Sequence, residues 1–204
     1  MEMTTCKLWV IGISLTLLLA CPPASFAGTI LGWGDNTYNE ASPQAGTDFT
    51  DIAAGNDFSL ALRKDGSVVA WGLNTDHQCD VPATPDFKAV AAGEYHSVLL
   101  KKDGSLVAYG ATTYGQLLCP AGNDFVAIAG GGWHSVALRA NGSLAAWGYS
   151  ASGVSTPPSG SNFKAIDAGH THSIALRTDG SVVVWGINHS TYKLITNAPT
   201  TADF

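Results

Sequence analysis

The stretch "GNDFSLALRKDGSVVAWG" at residues 55–72 decides the fold, because the chain contains four versions of it. The others are "GEYHSVLLKKDGSLVAYG" at 93–110, "GGWHSVALRANGSLAAWG" at 131–148 and "GHTHSIALRTDGSVVVWG" at 169–186. Each version begins 38 residues after the previous one. A fixed period of this length is typical of solenoids and propellers, in which a structural unit is repeated.

The repeat extends well beyond this stretch. A phenylalanine opens each unit, at 49, 87, 125 and 163, and defines units 49–86, 87–124, 125–162 and 163–203. The pair Trp33-Gly34 matches the end of the quoted stretch, so a partial unit precedes the first full one. We therefore take residues 28–204 as one repeat array.

Within a unit the local patterns predict strands. "FKAVAAG", "HSVLLKK" and "SLVAYG" are short apolar runs, and an Asp-Gly or Asn-Gly pair separates the last two, which predicts a hairpin with a type I′ turn. A shorter segment near "QLLCP" predicts a fourth strand. The expected fold is all-β: a β-propeller of four-stranded antiparallel blades, incomplete, with four full repeats and a partial N-terminal unit.

Two recurring positions are interpreted as structural. The aromatic residue before glycine is expected to pack between blades. A histidine recurs in the second strand, and because Phe58 takes its place in the first unit, we expect a packing role there too. These residues are Trp33, Trp71, Tyr109, Trp147 and Trp185, with His96, His134 and His172.

The same patterns predict no catalytic residue, no metal site and no cofactor. Neighbours in a strand point to opposite faces, so His96 cannot activate the adjacent Ser97 as a general base. The Asp-Gly turns lack the alternating acidic ligands of a calcium loop. We therefore expect a protein that is not an enzyme.

Binding is the favoured function, and the topology places it. The connections after the first and third strands emerge on one face, and they differ between units while the framework repeats. Variety of this kind suits recognition of a protein partner, although neutral drift in loops is the alternative. The candidate partner-binding residues are Asp57, Tyr95, Trp133 and Thr171, together with Tyr38, Tyr114 and Tyr149, and the last unit adds His189 and Tyr192.

The N-terminal residues predict export. An apolar run at 8–20 follows Lys7 and precedes small residues around Ala27, which is typical of a signal peptide spanning residues 1–27. The expected location is secreted, periplasmic or at the cell surface, with lipidation of Cys21 in "LLAC" as the alternative. Without lipidation no membrane contact beyond the signal peptide is expected. The net charge of −6, without a basic stripe, argues against a nucleic-acid partner.

Two cysteines, Cys79 and Cys119, remain after residue 27. An exported pair can form a disulfide. They do not occupy equivalent repeat positions, so two separately buried thiols are an equal alternative.

The repeat "FKAVAAGEYHSVLLKKDGSLVAYG" resembles the regulator of chromosome condensation repeat, which builds propellers that usually have seven blades. The short period and the tails at 78–82 and 116–120 resemble bacterial exported members, such as a secreted propeller that inhibits β-lactamases. The resemblance implies a fold but does not fix a function. Nuclear members act on a GTPase and on chromatin, which an exported acidic chain is not expected to meet.

These observations predict an exported protein–protein interaction module that uses the loops on one face. The alternative is a fragment of a larger cell-surface or enzyme-associated protein in which the propeller is a structural carrier. Four full units cannot make seven blades, so we also expect an open arc whose exposed strand edges promote association.

Overall fold

A computed structural model describes residues 29–186 and shows four antiparallel sheets, each with its strands in chain order. The predicted signal peptide, Cys21, His189, Tyr192 and Phe204 lie outside the described residues. Besides the strands, residues 29–186 contain one 3₁₀ turn, Ala151–Gly153. The strands are β1 (Phe49–Ala54), β2 (Phe58–Arg63), β3 (Val68–Gly72), β4 (Phe87–Ala92), β5 (His96–Lys101), β6 (Leu106–Gly110), β7 (Phe125–Gly130), β8 (His134–Arg139), β9 (Leu144–Gly148), β10 (Phe163–Ala168), β11 (His172–Arg177) and β12 (Val182–Gly186).

Each described sheet has three strands rather than the four expected. The segment around 116–120 forms turns instead. The side-chain oxygen of Gln116 accepts a hydrogen bond from the Tyr114 backbone N–H at 2.8 Å, and its carbonyl accepts one from Trp147 Nε1 at 2.8 Å. Because side chains satisfy these groups, the segment crosses to the next unit without joining a strand ladder.

The predicted hairpins are present, but their turn type differs from the expected I′. Gly66 has a φ of +97°, whereas Asp65 is not among the residues with positive φ. The Gly66 N–H donates to the Arg63 carbonyl at 2.9 Å, which makes a three-residue loop with glycine in the bulge position. The Asp65 carboxylate accepts hydrogen bonds from both the N–H and the hydroxyl of Ser67, each at 2.7 Å.

The core lies between neighbouring sheets. The second strand of the first three sheets is buried on both sides, as in β5, whose first five residues are all buried. Alternate residues of such a strand face opposite neighbours: Leu99 packs towards the first sheet, and Val98 and Leu100 pack towards the third. The apolar character on both faces of these strands follows from this position.

Backbone hydrogen bonds join neighbouring units at both ends of the sheets. At one end the Glu94 N–H donates to the Gly132 carbonyl at 3.0 Å. At the other end the Phe125 N–H donates to the Gly104 carbonyl at 3.1 Å. The first strands of neighbouring sheets contact one another, so they form the inner side of the array. Within residues 29–186 no helix is long and apolar enough to cross a bilayer.

Candidate functional site

The candidate site lies at the sheet ends where the first and second strands connect. The segment after each third strand is tied to that connection: the Tyr149 N–H donates to the Trp133 carbonyl at 2.8 Å. Gly148 permits this approach, because a Cβ there would lie 2.5 Å from the same carbonyl. We call this end the loop face, formed by residues 55–57, 93–95, 131–133 and 169–171 with the segments 34–42, 73–80, 111–118 and 149–154.

Four rings on the loop face come together from three units, and we call them the aromatic cluster. Tyr114 stacks on Trp133 with 5.2 Å between ring centroids, and Tyr149 stands edge-on to both, at 5.0 and 5.7 Å. The ring of His170 lies 5.9 Å from that of Trp133. Tyr114 is 41% exposed. These contacts hold large side chains in place at the surface, as interface anchors require.

A small pocket adjoins the aromatic cluster. Its lining includes Trp133, Tyr149 and Thr171, and its volume is about 90 Å³. Sites for drug-sized ligands measure roughly 300–1,000 Å³. The pocket therefore suits the tip of one side chain better than a whole cofactor or substrate.

The remainder of the loop face carries acidic groups around Tyr95. The Glu94 carboxylate raises the pKa of Tyr95, with burial and the charges of Asp57 and Asp76 adding to the effect. Glu94 also reaches His170 of the fourth unit, with 3.0 Å between Oε2 and Nε2. The acidic group and the aromatic cluster are therefore parts of one surface, joined at His170.

The structure brings most of the predicted partner-binding residues together. Tyr114, Trp133 and Tyr149 meet in the aromatic cluster, Thr171 borders its pocket, and Tyr95 lies near Asp57. Tyr38 is 47% exposed in the segment before β1 and makes none of the ring contacts recorded for residues 29–186.

The sequence places Glu94 and His170 at loop tips of the predicted binding face, but it does not show that their side chains meet. They occupy the same repeat position two units apart, and the intervening position is Gly132. A Cβ at Gly132 would lie 2.6 Å from the His170 carbonyl and 2.9 Å from its ring. A glycine that separates an acidic residue and a histidine at successive copies of one repeat position could have indicated this pair from the sequence.

The aromatic positions before glycine mostly occupy the boundaries between units. Trp147 and Trp185 are buried, and Trp185 Nε1 donates to the Val154 carbonyl at 3.0 Å. Trp71 is half-buried and donates to the Glu40 carbonyl at 2.8 Å. Tyr109 packs against the buried residues between the first and second sheets. Trp33 differs from this expectation, because it is 55% exposed and residues 29–48 contain no strand to cover it.

The histidines of the second strands fill slots between units. His96 and His134 are fully buried, and each Nε2 lies 2.7 Å from a serine Oγ of the following unit, Ser135 and Ser173 respectively. Burial lowers the pKa of both histidines to about 4, so both are neutral at pH 7. His172 is half-buried at the same position.

The glycine that directly follows the first strand of a sheet explains the shape of this slot. A Cβ at Gly93 would collide with the His96 ring, and one at Gly55 would collide with the Phe58 ring. The sequence indicated a packing slot but not the serine partner, which lies 39 residues further along the chain.

Ser97, Cys79 and Cys119 are poorly placed to act as nucleophiles. Ser97 Oγ donates to the Gln78 carbonyl at 2.6 Å, rather than to its neighbour His96. Cys79 and Cys119 are free thiols, not a disulfide, and burial raises the pKa of each to about 11. Within residues 29–186 no three His, Cys, Asp or Glu side chains come together as a metal site.

Comparisons with solved structures show which folds this arrangement resembles. The ectodomain of receptor kinase CR4 from Physcomitrella patens is 28% identical, with a TM-score of 0.65, over 76% of this chain and 46% of that one. Prp20p from Saccharomyces cerevisiae is 22% identical, with a TM-score of 0.65, over 78% and 50%. The CRINKLY WD40 ectodomain of receptor kinase ACR4 from Arabidopsis thaliana is 24% identical, with a TM-score of 0.61, over 75% and 53%. The chain spans about half the length of each structure.

The sequence comparisons identify the family. Among curated protein sequences none matches the chain significantly. The model of the Regulator of chromosome condensation (RCC1) repeat matches residues 49–78, 87–116, 125–154 and 163–190, which together make up more than half of the chain. Together with the structural likeness, this confirms the predicted all-β class of propeller blades. The chain belongs to the RCC1 repeat family.

Proposed function

We propose that this chain is the binding module of an exported protein and that a protein partner docks on its loop face. The observation that carries the proposal is the aromatic cluster. Two units contribute the packed rings of Tyr114, Trp133 and Tyr149, a third adds His170 beside Trp133, and Tyr114 stays 41% exposed. Tyrosine and tryptophan held in this way present a large contact area at low entropic cost.

A relative with the same fold supports a protein as the partner. Yeast Prp20p binds Gsp1p and histones, and yeast RCC1 (Prp20) has been crystallised bound to Kap60. We transfer only the class of ligand, because at this identity the likeness shows the fold alone. The acidic composition supports a protein partner rather than a nucleic acid.

Two further parts of the proposal rest on the sequence and on the buried side chains. Export is supported by the apolar run at 8–20 and the small residues around Ala27. A non-enzymatic role is supported by the burial of His96 and His134, each of which has its Nε2 paired with a serine hydroxyl of the next unit.

A selection that is unbiased in charge tests the binding role. A displayed library of random peptides is selected on the immobilised full chain, and the affinities of selected peptides are then measured by calorimetry. We expect Trp133→Ala to weaken binding at least tenfold, as for a central interface anchor. The matched control is Val126→Ala, because Val126 is an apolar residue of β7, 49% exposed and outside the loop face. Selected peptides that tolerate both Trp133→Ala and Tyr114→Ala would contradict the proposal.

Export is tested separately by expressing residues 1–204 in a bacterium and determining the mass of the mature protein. Cleavage after Ala27 predicts a chain that begins at Gly28. A diacylglyceryl-modified chain beginning at Cys21 would select the lipoprotein alternative, and an unprocessed cytoplasmic chain would overturn export.

A further inference from the structure

The lysines and arginines within residues 29–186 are confined to one end of the sheets. Every lysine and arginine within residues 29–186 lies at the end of a second strand, in the hairpin that follows, or at the second residue of a first strand. These positions all belong to the hairpin end, opposite the loop face. The residues are Arg63, Lys64, Lys88, Lys101, Lys102, Arg139, Lys164 and Arg177.

The loop face, in contrast, carries carboxylates and no lysine or arginine among its described residues. The charges of Glu94, Asp57 and Asp76 all raise the pKa of Tyr95, and three more carboxylates lie on the segments 34–42 and 73–80. The hairpin end also contains aspartates, but basic residues offset them there: Arg63 pairs with Asp48 at 2.6 Å and Arg139 pairs with Asp124. The negative charge of the described chain is therefore concentrated on the loop face.

The aromatic cluster adds to the attraction of the loop face for cations. The faces of aromatic rings are negative, so they attract cations, and tryptophan does so most strongly. The chain already contains a cation–π contact, in which the guanidinium carbon of Arg139 lies 4.3 Å from the ring centroid of Phe125. Within residues 29–186 no lysine or arginine lies on the loop face, so none of them covers the ring of Trp133.

The two parts of the surface are continuous. The His170 ring lies 5.9 Å from the Trp133 ring, and its Nε2 lies 3.0 Å from Glu94. A ligand that touches Trp133 therefore also lies near the Glu94 carboxylate, at a distance where charges act at physiological salt.

We propose that the loop face docks a basic segment of the protein partner, with an arginine or lysine over the ring of Trp133 and another beside Asp57, Asp76 and Glu94. This inference rests on the proposed function and specifies the partner's chemistry. Carboxylates here steer a cationic partner and exclude acidic ones. The partner is recognised by its charge and by the guanidinium or ammonium group that fits the aromatic cluster.

Three fluorescent nonapeptides test the inference by anisotropy titration against the full chain: nona-arginine, nona-glutamate and a neutral glycine–serine peptide. We expect binding of nona-arginine only. Raising NaCl from about 0.01 to 0.1 M shortens the Debye length from about 30 to about 10 Å, so affinity should fall. Trp133→Ala should weaken nona-arginine binding at least threefold, which pure charge attraction would not produce.

A matched pair of triple variants separates the loop face from general attraction to an acidic protein. Asp57→Asn, Asp76→Asn and Glu94→Gln remove three charges from the loop face, and we expect roughly tenfold weaker binding of nona-arginine. Asp65→Asn, Asp103→Asn and Asp179→Asn remove three charges from the hairpins. The control should fold, because Asn141 already holds this position and accepts both hydrogen bonds from Ser143. We expect less than twofold change for the control.

Failure of this inference is distinguishable from failure of the proposed function. Equal losses in both triple variants, or no binding of nona-arginine, overturn the basic partner. If the charge-unbiased selection still yields peptides that depend on Trp133, the loop face binds proteins of another chemistry. If the selected peptides depend on neither Trp133 nor Tyr114, the proposed function itself is wrong.

Discussion

The boundary between the first and second sheets and the boundary between the second and third are built on the same plan with different residues. At the first, Phe58 fills the slot against Gly55; at the second, His96 fills it against Gly93. Both rings are essentially fully buried. The Phe58 ring has no polar atom, and Ser97 donates its hydrogen bond to the Gln78 carbonyl. His96 instead pairs its Nε2 with the Ser135 hydroxyl. The slot therefore selects a flat ring, and the choice of ring decides whether the boundary responds to pH.

The largest effect that separates the two boundaries is expected in acid. The pKa of His96 and of His134 falls from an ordinary 6.5 to about 4 on folding, because burial disfavours the charged ring. Between these values the unfolded chain binds more protons, so stability falls as pH falls below 6.5 and levels off below about 4. The two histidines together should cost roughly 5 kcal/mol of unfolding free energy at pH 4.5.

Urea denaturation of the wild type and of the His96→Phe/His134→Phe variant between pH 7 and 4.5 checks this. The variant copies the boundary of Phe58 at both positions and should lose most of the pH dependence. An equally steep fall in the variant would show that other groups control acid unfolding.

The second effect concerns the tryptophan of the boundary between the second and third sheets. Trp147→Ala should cost about 3–5 kcal/mol, because it empties a buried slot and leaves the Gln116 carbonyl without the indole donor. Trp33→Ala is the matched control at the same repeat position, and it should change stability by less than about 0.5 kcal/mol, because Trp33 is 55% exposed. Thermal unfolding of both variants measures the difference, and similar losses would contradict the assignment.

The third effect isolates the buried histidine–serine hydrogen bond. Ser135→Ala leaves His96 Nε2 without its partner in a dry site, which should cost about 1–3 kcal/mol. In a His96→Phe background the same substitution should cost less, because no buried nitrogen is left unpaired. A double-mutant cycle of unfolding free energies gives the coupling between the two side chains. Zero coupling would mean that the 2.7 Å contact contributes nothing.

The smallest effect compares the arginines that end the second strands. Arg139 lies over Phe125 and pairs with Asp124, whereas Arg177 lies over Phe163 and its buried Nε has no partner among the described residues. Asn162 occupies the position of the missing carboxylate. Asn162→Asp should stabilise the fourth unit by less than about 1 kcal/mol, and Asp124→Asn should destabilise the third by a similar amount. Both shifts are read from denaturation midpoints, and effects of the opposite sign would refute the pairing.

The sequence predicted the repeat, the strands and the hairpins because these depend on local signals: an apolar run, a turn pair and a fixed period. It did not predict the turn type, because Asp-Gly fits both a type I′ turn and the three-residue loop that forms at Asp65-Gly66. It also predicted a fourth strand near Gln116. The buried amide oxygen of Gln116 instead accepts the Tyr114 N–H within its own turn, and Gln78 accepts the Asp76 N–H in the same way one unit earlier.

The loop face was predictable in outline only. Repeat topology placed Trp133 and Tyr114 on the same side of the array, and the structure adds that their rings stack. The pair of Glu94 and His170 spans two unit boundaries, so no spacing within one unit reveals it. The same holds for His96 and Ser135, where the repeat shows two frequent residues but not that they meet across a boundary.

In the indole hydrogen bonds between units, the acceptor is always synthesised before the donor. In each case the carbonyl acceptor, from Glu40 to Val154, precedes its tryptophan donor by 31 residues. A ribosome adds roughly 5–20 residues per second, so about 2–6 seconds pass between the two. Hairpins form in about 1–10 microseconds. Each tryptophan therefore emerges when its acceptor is already available, and nascent units can dock one after another from the N-terminus without waiting for the rest of the chain.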